Sequence, residues 1–203
     1  EGVETTYYYL DAQGNQMAFY KLREEEYLGN QEKIVELKER NIYGSSRVGQ
    51  EKVGQVIAST NTDLIDINTE TQNIKGDKYF EMSNHLGNVL ATVSDRKLPV
   101  PGGSNDIAYF QADVVSYSDY YPFGMQMPGR SFQSDEYRYG FQGQEKDDEV
   151  KGEGNSINYK YRMHDPRIGR FFAVDPLADD YPHNSPYAFS ENVVVNAVEL
   201  EGK

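Results

Sequence analysis

The residues best able to do chemistry in this chain are concentrated between Tyr159 and Tyr187, in the run YKYRMHDPRIGRFFAVDPLADDYPHNSPY. It holds two Asp-Pro pairs, Asp165-Pro166 and Asp175-Pro176, with Arg167 and Arg170 between them. Two carboxylates brought together can hydrolyse a peptide: one ionised group activates water while a protonated partner hydrogen-bonds the carbonyl. Asp-Pro also starts turns, because Asp bonds the backbone ahead of it and Pro presets φ. Arg167 and Arg170 could equally serve as simple charge partners. Other chemistries are poorly represented. Cysteine is absent, so neither a thiolate nor a disulfide is available. His85, His164 and His183 lie far apart, without metal-ligand spacing. The acidic run Glu145 to Glu149 lacks the DxDxDG pattern of a calcium loop and reads as a solvated loop. No metal and no cofactor is expected.

The elements that must position these residues read as strands. Residues 5–20, TTYYYLDAQGNQMAFY, alternate apolar and polar around a turn at Asp11 to Asn15 and predict a hairpin. Residues 33–43 predict a strand. Residues 48–78, rich in Thr, Asn and Gly, read as loop or weak strands. Residues 78–95 repeat the hairpin pattern about a turn at Asn84 to Asn88, and 97–106 read as loop. Residues 107–121 form a strand-like stretch ending in the turn Tyr121-Pro122-Phe123-Gly124, and 144–155 read as a charged loop. The one helix expected lies within Ala188 to Val198, with Ser190 as its N-cap. Such hairpins cannot bury a face alone and must stack into a continuous sheet. Phe171, Phe172, Tyr181, Tyr187 and Phe189 read as packing residues.

Composition agrees with an all-β class. Of 203 residues, 17 are Tyr, 9 Phe and 18 Gly, and none is Trp. Tyrosine suits half-buried strands, where the ring packs and the hydroxyl meets water or a carbonyl. A net charge of -13 opposes nucleic acid and anionic membrane surfaces as partners. No apolar run approaches the roughly 20 residues of a membrane helix. The chain begins at Glu1 with no signal peptide and reads as a piece of something longer.

Five ordered blocks carry a family resemblance: NIYGSSRVG (41–49), YFEMSNHLGNVLATVSD (79–95), SYSDYYPFGMQMPGR (116–130), YRYGFQGQEKDDE (137–149) and YRMHDPRIGRFFAVDPLADDYPHNSPYAFSENVV (161–194). Together they resemble the RHS repeat-associated core domain at the C-terminal end of Rhs, or YD-repeat, proteins. The resemblance implies stacked β-hairpins forming part of a spiral β-sheet shell, a cocoon, closed by a C-terminal plug with at most a short helix. Residues 1–130 would be the YD-repeat-like hairpin region and 131–203 the plug with its self-cleavage region. It implies a polymorphic toxin downstream, held in the shell, and a role in competition between bacteria. Partners would be upstream repeats, that toxin, and a secretion-system component or chaperone. The location would be secreted or at the bacterial surface.

The family's core domain often cuts its own chain before the toxin in an aspartyl-protease-like manner. By resemblance the first acidic motif is Arg170 to Pro176, and the second falls at Glu199-Leu200-Glu201-Gly202-Lys203. Here both acidic positions of the second motif are Glu, Pro is missing, and Lys replaces Leu. Aligned on Gly202, Lys203 is the position after which the family cuts. Asp175 is then the leading catalytic candidate, Arg170 its charge partner and Asp165 the second carboxylate. Self-cleavage is the most enzymatic activity the chain is expected to carry. The alternative is a cell-surface adhesin or carbohydrate binder without a toxin, its tyrosines stacking on sugars.

Overall fold

The computed structural model describes residues 4–61, 65, 74–103, 106–134, 137–152 and 154–203. The fold is all-β. Strands β1 (Thr5–Leu10), β2 (Gln16–Tyr27), β3 (Asn30–Tyr43), β4 (Arg47–Ser59), β5 (Lys78–Ser83), β6 (Val89–Pro101), β7 (Ile107–Tyr120) and β8 (Gln126–Gln133) follow one another in sequence order through one antiparallel sheet. A second sheet has the order β12-β11-β10-β9, from β9 (Glu145–Lys146), β10 (Ile157–Asn158), β11 (Met163–Asp165) and β12 (Arg170–Phe171). Among the described residues neither closes into a barrel. The chain divides into two compact units, residues 1–80 with 94–113, and residues 81–93 with 114–203.

In the first unit, long meandering strands bury little. Ala18, Phe19, Ile34 and Leu37 are its buried apolar residues on β2 and β3. Bulges between Tyr9 and Leu10 and between Phe19 and Tyr20 break the register of β2 with its neighbours, the usual way a long ribbon gains twist. The β1–β2 turn is tied by Asp11, whose carboxylate accepts hydrogen bonds from the Gln13 and Asn15 amides at 2.9 and 2.8 Å.

The second unit holds the aromatic core. Phe141, Ile157, Tyr159, Phe171, Phe189 and Val194 are buried together, with Tyr120 and Phe123 packed on them. His164 stacks on Phe189 with ring centroids 4.0 Å apart, and its Nε2 lies 2.9 Å from the Phe123 carbonyl. Burial pushes the His164 pKa down to about 4, against the opposing Phe123 hydrogen bond and the Asp165 charge. The turn from β11 to β12 needs a glycine. Gly169 has φ +65°, and a Cβ there would sit 2.8 Å from the Phe123 ring.

One local expectation is narrowed and three are corrected. Of the loop or weak strands expected over 48–78, residues 47–59 form a strand, β4, whose pairing with β3 is interrupted by three register shifts; the rest of that stretch includes 62–64 and 66–73, which lie outside the described residues. β6 runs on through the supposed loop to Pro101, and residues 104–105 of that stretch also lie outside the description. The charged loop holds β9 and a single helical turn, α1 (Asp148–Lys151); residue 153 lies outside the description. The C-terminal helix does not form. Ser190–Asn192 is one 3-10 turn entered from Phe189 without a side-chain cap, and its three residues have φ of 44°, 48° and 63°. Three consecutive left-handed residues cannot continue into a right-handed helix.

Candidate active site

Arg162 is the centre of the site. It follows β10, in the link to β11, and is 4% exposed, with its guanidinium carbon 3.8 Å from the centre of the Phe171 ring. Its planar fork reaches three acceptors from separate parts of the chain. Nη2 donates to Asp175 Oδ2 at 2.6 Å, Nη1 to the Pro186 carbonyl at 3.0 Å, and Nε to the Gly202 carbonyl at 2.5 Å. A lysine offers one point charge and could not satisfy this set.

Asp175 opens a turn as its Pro176 neighbour implies. Its Oδ1 accepts the Leu177 amide at 2.8 Å, while Oδ2 takes Arg162. Glu199 arrives from the C-terminal segment and is 8% exposed. One carboxylate oxygen accepts the Ser190 amide at 2.6 Å. Burial pushes the Glu199 pKa up and the Asp175 charge adds to this; the Ser190 amide and the Arg162 guanidinium oppose it. Arg162, Asp175, Glu199 and Lys203 line one cleft of about 400 Å³ whose walls are largely apolar, Leu177, Val198 and Leu200 among them.

The chain end is clamped beside this cleft. The Lys203 amide donates to the Leu200 carbonyl at 3.1 Å, and Glu201 and Gly202 turn with φ of 60° and 81°. The Tyr161 amide holds the Glu201 carbonyl at 3.1 Å, next to the Arg162 grip on Gly202. A Cβ on Gly202 would lie 3.0 Å from Tyr159 Cβ and 3.2 Å from the Arg162 amide, so only glycine seats this turn without displacement.

Of the candidates from sequence, Asp175, Gly202 and Lys203 are brought together. Asp165 and Arg170 do not line the cleft. Asp165 caps its own turn: its carboxylate accepts Arg167 Nε at 2.9 Å, Arg167 Nη2 at 2.7 Å and the Arg167 amide at 3.1 Å, and Lys151 Nζ lies 3.5 Å away. The Arg167 hydrogen bonds hold its pKa down to about 2. Arg170 is exposed and donates to Ser185 Oγ at 3.3 Å. The guanidinium on Asp175 comes from Arg162; of the two glutamates that line the cleft with Asp175, Glu191 is exposed and Glu199 is buried. Arg162 carries no local signal, since its partners lie 13, 24 and 40 residues away. In the sequence, Glu199 is marked only by its place in the second acidic motif.

Among the described residues no group of three His, Asp or Glu side chains converges as a metal site. No helix among them is long and apolar enough to cross a membrane. No family model matches the chain. A stretch of 103 residues, half of the chain, is 35% identical to salivary gland surface protein 1 of Aedes aegypti, and spans 3% of that protein's length.

Proposed function

We propose that this chain closes an Rhs-type β-shell around a downstream toxin and cuts itself from that toxin after Lys203. One observation carries the reading. An Asp and a Glu share a cleft with the clamped turn that ends in Lys203, and the Glu is biased toward its neutral form. That is the asymmetry carboxylate-pair hydrolysis needs.

In a longer precursor, the Asp175 carboxylate takes a proton from water, whose oxygen attacks the Lys203 carbonyl carbon. Neutral Glu199 donates a hydrogen bond to the carbonyl oxygen. The C–N bond then breaks, the new carboxyl keeps the water oxygen, and the leaving amine takes the proton that Asp175 had accepted, which returns Asp175 to its carboxylate. Arg162 grips the preceding carbonyl, that of Gly202, and fixes the turn against the pair, where displacements of about 1 Å are costly. The stacked hairpins are the kind of sheet a shell would extend. Upstream repeats, the toxin and a secretion component or chaperone would be its partners, outside the cell or on its surface.

The test is a gene encoding this segment with its native downstream sequence. The expected product is two fragments that co-purify, with the downstream one resistant to added protease until the upstream one unfolds. Asp175→Asn and Glu199→Gln should each leave one uncut chain. Cutting that persists in both variants removes the pair from the mechanism, and a freely digested downstream fragment removes the shell.

The exposed rings of the first unit favour a second reading as an adhesin. Tyr9 and Tyr109 are each 61% exposed, as a sugar-stacking face requires. Glycan-array binding that is lost on Tyr9→Ala and Tyr109→Ala would support it.

A further inference from the structure

We propose that Gln142 is a positioning residue for Glu199, an inference that rests on the self-cleavage reading above. Gln142 is buried and sits at φ 50°, ψ 27°, a backbone region that long side chains occupy at a cost. The strain is held by the β5–β6 turn: the Gln142 amide donates to Asn88 Oδ1 at 2.9 Å, and the Asn88 amide donates to Asn84 Oδ1 at 3.1 Å. Held this way, Gln142 Oε1 accepts two hydrogen bonds, from the Tyr159 hydroxyl at 2.9 Å and from the Glu199 amide at 3.2 Å.

The amide is used from one end only. Gln142 Nε2 is buried and has no partner among the described residues. A buried donor left unpaired is unfavourable, so a residue serving as filler would be apolar here. What the glutamine supplies is an acceptor at a fixed point, 57 residues from the backbone it holds. Tyr159 stays a donor to it, because burial raises the phenol pKa well above its ordinary value. With its amide pinned by Gln142 and one carboxylate oxygen on the Ser190 amide, Glu199 is fixed at both ends. Strain, anchor and acceptor all bear on one backbone group, the one that aims the acid of the cleft.

Two variants of the precursor separate positioning from packing. Gln142→Met keeps length and volume without the acceptor. Gln142→Glu keeps an acceptor and, assayed in acid, enters neutral. A packing role ranks Met above Glu; a positioning role ranks Glu above Met. Gln142→Met should slow cleavage about tenfold, as expected for the loss of a buried hydrogen bond. It should also displace the alkaline limb of the pH–rate profile, while Gln142→Glu should cut within about threefold of wild type. Faster cutting by Met than by Glu, or a Met variant with the wild-type rate and pH profile, overturns the proposal. If Gln142→Met does not fold, a folded Gln142→Glu that fails to cut overturns it as well. Hydrogen exchange of the Glu199 amide is the readout independent of chemistry. Should the wild type not cut at all, the self-cleavage reading fails, and unchanged exchange in Gln142→Met would then overturn the positioning role separately.

Discussion

Replacing Arg162 by Met removes three hydrogen bonds and leaves their acceptors in place. Met keeps the length of the side chain but also gives up the guanidinium stacked on Phe171, so the loss is that of the whole charged fork. Hydrogen bonds to charged groups contribute about 1.5–3 kcal/mol each, and breaking one side of a buried ion pair costs about 3–5 kcal/mol. The Asp175 side chain is 21% exposed, so water recovers part of the loss. An expected net cost of about 3 kcal/mol corresponds to roughly a hundredfold in the local opening equilibrium. Arg162→Lys keeps the charge but reaches one acceptor, for an expected cost of about 1.5 kcal/mol, roughly tenfold. The assay is native-state hydrogen exchange at the Tyr161 and Lys203 amides, whose acceptors are the Glu201 and Leu200 carbonyls. Protection should fall in the order wild type, Lys, Met. A Met variant whose amides exchange as slowly as wild type would show that the turn stands without Arg162, and the reasoning from the fork would fail.

Three further outcomes follow from the same geometry. His164 has a folded pKa of about 4 against 6.5 unfolded, so its contribution is full above pH 6.5 and is lost as pH falls toward 4. Roughly 3 kcal/mol should disappear across that window in urea titrations, and His164→Gln should flatten the slope; an equally steep slope in the variant refutes the assignment. Gly169→Ala should cost about 2 kcal/mol through its positive φ and the Phe123 ring, read as a lower urea midpoint. Asp165→Ala should cost about 1–2 kcal/mol as a lost turn cap and leave self-cleavage running. Abolished cleavage in a folded Asp165→Ala would instead make it a catalytic carboxylate.

Much of the fold is legible in the sequence where turns carry glycine and strands alternate. The hairpins about Asp11 and Asn84 are of this kind, with Gly14 at φ 89° and Gly87 at φ 76° inside the turns. β4 is not, because Gly49 and Gly54 look like loop composition. Gly49 is a strand residue for a reason the sequence hides: a Cβ there would lie 2.0 Å from the Tyr79 carbonyl oxygen, so the neighbouring strand approaches too closely for any side chain. The end of β6 misleads in the same way. Pro99 and Pro101 read as loop, yet two residues apart they remove donors from one side of an extended strand only. The tail reads as helix by propensity, and its left-handed turn at Ser190 to Asn192 reflects packing around Phe189, which is wholly buried. In the site, Asp175 and the Gly202 turn are visible as motifs. Arg162 is not, because a residue that joins three distant segments leaves no spacing to read.

In the proposed self-cleavage, water activated by Asp175 cuts a precursor after Lys203. Purified uncut precursor, kept from reacting at alkaline pH, should be returned to acid in heavy-oxygen water and its fragments weighed intact. The expected products are an upstream fragment ending at Lys203 with one heavy oxygen in its new carboxyl, and an intact chain from Asp175→Asn. A fragment with no heavy oxygen, a cut elsewhere, or an Asp175→Asn chain that still cuts would contradict it.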